Sequence, residues 1–537
     1  MNHIKTVAVY AILLFIWSCS ETPEERRESV FADPVIRDIY TLADRRDASG
    51  LKAYADHENA AYRTSFARVS ASVLAPELFE PLQELMKDPI PYVRMYATFA
   101  VGQYRDTTAL LALEKAIKKA TIPEIKAEVL AAIGKSANKN AMEYLIFHEP
   151  STAEEEAGKI WGIYYAMLRG YLQKDHLRTV AAHLKSREDE TRLAAAHVLS
   201  RQNQFELDDQ LPNLKDALES EKDGEIRTLL IRSMGKTKVD NKTLASYIEK
   251  DSDPRVRAEA ISQLSKPLSE DQLNTLINAL EDGAVWVAMA GAQKCYEVAL
   301  PVEKLDEVKN LVLTSPIPEV RAAILIALLN ASHTEAQLLW QRLSERYNGE
   351  IERAVLLKNL HRFTGSLDTL KAYALKDSPI GSAAFEALAN GAKNREDWER
   401  TYYDFSARAL KQGLLAQAYI TANNIVSRSL NDTVKIPAAK LKSALQQFER
   451  PAAIETKLEL EKAIAAIENT RYKPASMSPE NSIDWDLVQT ISRKASATIY
   501  TDKGKLKLKL LVEDAPGSVS NFARLAGEKF YDGTAFH

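Results

Sequence analysis

The sequence predicts an all-α superhelical solenoid of stacked helix pairs over most of its length, followed by a short strand–turn–helix segment at its C-terminal end. Three observations carry this reading. A turn rich in Pro or Asp, then a basic residue, then an Ala-rich apolar helix returns at intervals of 30 to 35 residues. Between about Asp33 and Lys393 no period-two strand pattern interrupts it. Near the end, Lys505-Leu506-Lys507-Leu508-Lys509-Leu510 alternates charge and apolar side chains, as a half-buried antiparallel strand does, with Leu506, Leu508 and Leu510 expected on one buried face.

Composition sets outer limits. With 537 residues, 46% apolar and 27% charged, the chain is long enough for three or four domains or for one long array. A net charge of −4 without a basic block excludes nucleic acid as a partner, which would require a concentrated Lys/Arg face. Two cysteines, Cys19 and Cys295, provide neither a disulfide framework nor a thiolate metal site. The histidines His148, His176, His183, His197, His333 and His361 lack the i, i+4 pairing of a helical metal site, and no Gly-rich phosphate loop is present, so no metal and no cofactor are expected.

In chain order, Lys5 precedes an apolar run from Val7 to Trp17, too short to span a bilayer and suited to the core of a secretory signal. The run ends in Ile16-Trp17-Ser18-Cys19. This resembles a bacterial lipoprotein box, which implies cleavage before Cys19 and lipidation of that residue: residues 1–19 would be a lipoprotein signal peptide, and the mature chain would be tethered by its acyl chains rather than spanning. The expected location is the bacterial cell envelope, lipid-anchored in the outer membrane and facing the periplasm or the surface. Residues 20–32, with Ser20-Glu21-Thr22-Pro23-Glu24-Glu25, form an acidic, solvated tether.

Residues 33–393 hold the repeats. Asp88-Pro89-Ile90-Pro91-Tyr92-Val93-Arg94, Asp251-Ser252-Asp253-Pro254-Arg255-Val256-Arg257 and Pro316-Ile317-Pro318-Glu319-Val320-Arg321 are versions of one turn. The basic position recurs at Arg63, Arg94, Lys126, Lys159, Arg192, Arg227, Arg257, Arg321 and Arg353, with one double step across Val287-Ala288. The array resembles HEAT-type repeats, which implies paired antiparallel helices, a turn-flanking cation bonded to neighbouring repeats, and a concave face open to a protein partner. Gly102, Gly134 and Gly235 are expected at helix ends. Trp161, Tyr164 and Tyr165, with Trp286 and Trp340, are aromatic residues at helical spacing and read as core. Residues 394–470 remain helical without the repeat signature and extend the array at its C-terminal end; residues 471–482, with Pro474, Ser476, Ser478 and Pro479, read as a linker.

Residues 483–537 carry the chemistry. After a short helix over Ile483–Ile491 and the strands, Asp514-Ala515-Pro516 breaks the run, and Val519, Phe522, Ala523 and Ala526 follow at helical spacing behind a proline suited to a first turn. Glu513-Asp514-Ala515-Pro516, Val519-x-Asn521-Phe522 and Tyr531-Asp532-Gly533-Thr534-x-Phe536-His537 together resemble the opening of a cyclophilin-type peptidyl-prolyl cis-trans isomerase. The resemblance covers Ala497 to His537 and implies an incomplete cyclophilin-like β-barrel fragment of strands plus one helix. It also implies that the catalytic arginine would directly follow His537, so no catalytic residue is expected within these residues. Phe536, in the core, and His537 flank that position, and a truncated reading frame is expected. The family's activity implies proline-containing polypeptides as clients and assistance to the folding of exported proteins. The alternative is a non-catalytic, lipid-anchored repeat scaffold or binding protein.

Overall fold

A computed structural model describes residues 29–298, 300–331, 333–346, 349–427, 436–448, 453–472, 482–501 and 504–534. The chain divides into two compact units. One comprises Met1–Ala100 together with Ser478–His537, and the other comprises Val101–Met477.

The first unit joins segments from both ends of the sequence. Its helices begin where their caps dictate. Asp33 accepts from the Val35 amide at 2.8 Å ahead of Pro34–Asp44, with Pro34 at the first turn, and Asn59 accepts from the Ala61 amide at 2.9 Å ahead of Ala60–Val73. Leu74 ends that second helix in the left-handed region at φ 54°. Phe31, Ile39, Leu51, Phe66, Leu78 and Leu82 are fully buried between these helices. The same unit contains the helix Trp485–Thr490, the strands β1 (Ser496–Thr501) and β2 (Gly504–Lys509), and the helix Pro516–Gly527.

The second unit is a succession of helix pairs, among them Leu110–Lys119 with Pro123–Lys135, Lys139–Phe147 with Ala153–Leu168, and Leu211–Ser220 with Gly224–Met234. The second helix of each pair stacks on the second helix of the next, from Pro123–Lys135 through to Pro379–Ala392. Each pair is thus covered by its neighbours, as expected of helices whose apolar surface exceeds what one partner can bury. The last helices, Glu396–Gln412 to Ile454–Ile467, close on a cluster that includes Leu410, Ala418, Leu441, Phe448 and Leu460.

The recurring cation explains the repeat signature. It occupies the fourth residue of its helix, where it reaches two turns at once. Arg257 Nη1 donates to the Asp251 carbonyl at 3.0 Å in its own turn, while Nε and Nη2 fork onto Asp282 of the next turn at 3.1 and 2.9 Å. Asp251 in turn receives Arg227 at 3.0 and 2.9 Å, and its other oxygen work is local: Oδ1 accepts from the Asp253 amide at 2.8 Å. Arg63 forks onto Asp88 in the first unit by the same rule, and Arg192 onto Glu221 in the second. The result is a ladder in which each carboxylate is both a turn-former and the seat of the preceding arginine.

The ladder departs from the sequence reading at one rung. Lys159 does not hold the ladder position: it lies three residues further along its helix, buried, with Nζ on the His148 carbonyl at 2.7 Å. The fourth residue of that helix is Glu156, which receives His183 Nδ1 at 2.7 Å and the Ser186 hydroxyl at 3.0 Å. The rung persists with its charge reversed, because a carboxylate here meets a turn bearing donors. One repeat before it, Lys126 reaches Glu155 at 3.3 Å, where a lysine takes the arginine's place.

Gly102, Gly134 and Gly235 fall at helix ends, as expected, and the first two also serve the stacking of repeats. Gly134 is the penultimate residue of the Pro123–Lys135 helix, and a Cβ there would stand 2.0 Å from the Gly162 carbonyl oxygen of the next repeat. One at Gly158 would stand 2.4 Å from the Ala127 Cα. These positions let two backbones approach closely, which no side chain would permit. Gly102 faces Ala132 in the same manner, and Gly235 caps its helix at φ −60°, outside the left-handed region.

Candidate functional site

β1 and β2 form an antiparallel hairpin in which Ala497 faces Leu508 and Ile499 faces Leu506. Pairing puts these four on one face, with Tyr500 and the three strand lysines on the other; Lys505 Nζ lies 5.0 Å over the Tyr500 ring. The alternation therefore yields a strand. It does not yield the expected buried face: Leu506 is 47% and Leu508 38% exposed, since no described residue stands over them, and Leu510 falls beyond β2. Leu510 returns the chain through its amide to the Ala495 carbonyl at 2.9 Å.

The Glu513-Asp514-Ala515-Pro516 turn is anchored on three sides. Arg493 Nη2 lies 2.7 Å from Glu513 Oε2, the Val30 amide reaches Glu513 Oε1 at 3.5 Å, and Arg68 pairs with Asp514. Pro516 occupies the first turn of Pro516–Gly527, and it is buried together with Val519 and Ser520 of that helix. Phe522 packs on Tyr531 with centroids 5.4 Å apart, and Phe530 meets the same ring edge-on at 5.3 Å. Ala526 is exposed rather than part of a buried stripe. Gly533 adopts φ 74°, a conformation that explains glycine in Tyr531-Asp532-Gly533-Thr534.

What this segment rests on is not legible in the sequence. Trp485 packs against Phe31 with centroids 5.2 Å apart and donates through Nε1 to Thr41 Oγ1 at 3.0 Å. Phe31 in turn meets Tyr40 edge-on at 5.0 Å. Burial pushes the Tyr40 hydroxyl above its ordinary value, with Arg68 acting in the opposite sense. Phe31, Thr41 and Arg68 thus form a seat for a segment more than four hundred residues downstream. The only sequence signal was a tryptophan standing just ahead of the strands.

Phe536, His537 and Cys19 lie outside the described residues. Cys295 is buried in the Val285–Val298 helix, and burial pushes its thiol up to about 12, so it is an inert core residue. Among the described residues no three His, Cys, Asp or Glu side chains converge as a metal site, and no helix is long and apolar enough to cross a membrane.

The segment has clear relatives. The profile of the family "Cyclophilin type peptidyl-prolyl cis-trans isomerase/CLD" matches residues 496–537. A peptidyl-prolyl cis-trans isomerase of Helicobacter pylori (strain J99) is 49% identical over 49 residues, which is 9% of this chain and 30% of that protein. Peptidyl-prolyl cis-trans isomerase B of Bacillus subtilis is 46% identical over 44 residues, 8% of this chain and 31% of the relative. The chain therefore spans about 30% of the length of the curated relatives it matches. A crystal structure of importin beta is similar with a TM-score of 0.39 at 13% identity, covering 79% of this chain and 62% of that one. The C-terminal segment is a partial cyclophilin-type domain, joined to a helical-repeat solenoid.

Proposed function

We propose that the protein is a peptidyl-prolyl cis-trans isomerase of the cyclophilin type whose helical array holds proline-containing polypeptides for it. The observation that carries this is the ordered set of Glu513-Asp514-Ala515-Pro516, Asn521-Phe522 and Tyr531-Asp532-Gly533-Thr534 within a stretch 49% identical to a bacterial isomerase. Rotation about a prolyl peptide bond faces a barrier of about 18–20 kcal/mol and takes tens to hundreds of seconds unaided, slow enough to limit folding. Catalysis requires no covalent step: a cation donating to the substrate near the prolyl amide, together with an apolar hold on the ring, favours the twisted state over either planar one.

In this reading the cation is the arginine that follows His537 in the family, with Phe536 and His537 at its flanks, so residues 1–537 contribute scaffold and client binding rather than the reacting group. The chain is anchored at Cys19 in the bacterial cell envelope and serves exported proteins. The deciding experiment is nuclear magnetic resonance exchange on a proline peptide with the protein isolated from its native envelope. Exchange faster than the uncatalysed rate is expected; an unchanged rate sinks the isomerase reading in favour of a binding scaffold. Labelled palmitate should enter the wild-type chain and not Cys19→Ala, and equal incorporation would remove the anchor.

A further inference from the structure

The array has an aromatic site that the isomerase reading leaves unused. Trp161, Tyr164 and Tyr165 project from the Ala153–Leu168 helix, and His197 from the Asp189–Arg201 helix of the next repeat. Trp161 lies 5.4 Å from Tyr164, 6.4 Å from Tyr165 and 5.5 Å from the His197 ring; Tyr164 and Tyr165 are 5.5 Å apart. The sequence places them in the core, yet all four are partly exposed, and Leu168, one turn beyond, is 61% exposed. The cause lies in the glycines. With Gly134, Gly158 and Gly162 holding the two backbones nearly in contact, a ring has no room between the helices and stands outward.

The polar groups around the rings indicate the occupant. Neither the Tyr164 nor the Tyr165 hydroxyl meets a protein acceptor among the described residues, and His197 Nδ1 is a buried nitrogen without a hydrogen-bond partner. Trp161 Nε1 is already engaged, donating to Glu190 Oε1 at 2.6 Å, and Glu190 forms no ion pair among the described residues. The site thus offers the Trp161 and Tyr164 rings and free hydroxyl donors beside the Glu190 carboxylate, while the Tyr165 ring already carries Lys135, whose Nζ lies 5.0 Å over it. A polyproline II segment presents the complement: flat pyrrolidine rings, and carbonyls with no internal hydrogen bonds.

We propose that the Trp161–Tyr164–Tyr165–His197 cluster docks a proline-rich, extended segment of a client protein, with a flanking basic residue on Glu190. The choice of proline as client chemistry rests on the isomerase reading; the binding itself does not require turnover. The test is fluorescence anisotropy of the whole chain with a labelled peptide holding several prolines between arginines, against the same peptide with alanines in their place. The proline peptide should bind about fivefold tighter or more, since an ordered extended chain loses less entropy and its rings fill the aromatic slots. Trp161→Ala should weaken it about tenfold, on the scale of a lost aromatic anchor. Tyr164→Phe with Tyr165→Phe keeps the rings and should weaken it about threefold through the lost hydroxyl donors, with an unchanged melting curve; this pair decides the matter if Trp161→Ala fails to fold. Trp286→Ala, at a 69% exposed tryptophan elsewhere in the array, should leave affinity as it was. Equal binding of the two peptides, wild-type affinity in the folded cluster variants, or an equal loss with Trp286→Ala overturns the proposal. Prolyl exchange measured in parallel on the protein isolated from its native envelope separates the two readings: binding without exchange sinks the isomerase and leaves the dock, and exchange without proline-selective binding does the reverse.

Discussion

Leu130 and Leu508 both belong to apolar patterns that mark them for burial. Leu130, on the Pro123–Lys135 helix, is fully enclosed, whereas Leu508, near the end of β2, is 38% exposed. The difference lies in who supplies the cover. In the array every helix meets a copy of its own design on the next repeat, so the pattern that makes one unit also makes its lid. A two-stranded hairpin has no such neighbour and is at best marginal alone. This hairpin segment is held instead from its turn and flanking helix, through Trp485, Glu513 and Asp514 on the first helices of the chain. Periodic packing is local and repeated; the anchoring of the C-terminal segment is singular and remote.

That contrast can be attacked at four places, in descending size of effect. Arg227→Ala leaves the nearly buried Asp251 carboxylate without its cation and should destabilise the array by about 3 kcal/mol, read as a lower melting temperature. A loss below about 0.5 kcal/mol would mean that the ladder is decoration. Trp485→Ala should remove about 2 kcal/mol of packing from the seat. Hydrogen exchange should then quicken over residues 496–534 while the Gly224–Met234 helix keeps its protection; equal loss in both would deny the seat its separate role.

Acid should act most strongly on the rung at Glu155, although Asp88, Glu221 and Asp282 are also held, against the opposing effect of burial, below their ordinary values by their arginines. Burial raises the Glu155 carboxyl, but hydrogen bonds from the Ser151 hydroxyl and amide, with His148 and Lys126, outweigh it and hold the group down to about 2 from 4.5. Because the folded value is the lower one, its contribution is complete above about pH 4.5 and is lost as pH falls towards about 2. Glu155→Gln should therefore lower stability at neutral pH and flatten its decline across that window. An unaltered decline would assign the acid sensitivity elsewhere. The smallest effect is expected at Leu508→Ser, within about 0.5 kcal/mol in this chain, as for other exposed positions; a loss beyond about 1.5 kcal/mol would reveal a cover over the hairpin face.

What the sequence disclosed follows the same division. Arg94, Arg227 and Arg257 announced their helices because turn, cation and apolar stripe are contiguous in the chain. Glu156 escaped notice since a search for cations at a fixed interval finds Lys159 nearby and never considers a reversed sign. Gly134 does stand at a helix end, but its second role was hidden, because close backbone approach requires a partner glycine, Gly162, that only the stacked neighbour reveals. The strand at Leu506 and Leu508 was plain from alternation, but alternation specifies a face and not its covering. Phe31 and Trp485 could not be paired from sequence at all, since nothing local in either stretch refers to the other.

The reversed rung at Glu156 bears on how such an array can be edited. Most neighbouring repeats share one lock and one key, an arginine reaching forward to an acidic turn, and in principle any of them fits beside any other. The repeat carrying Glu156 projects the opposite sign and is received by His183 and Ser186. Duplicating or transplanting it alone would set a carboxylate against an acidic turn such as the one bearing Asp251 or Asp282. This repeat and its successor therefore have to be moved, lost or gained as a pair, which gives the array a fixed punctuation mark in an otherwise exchangeable series.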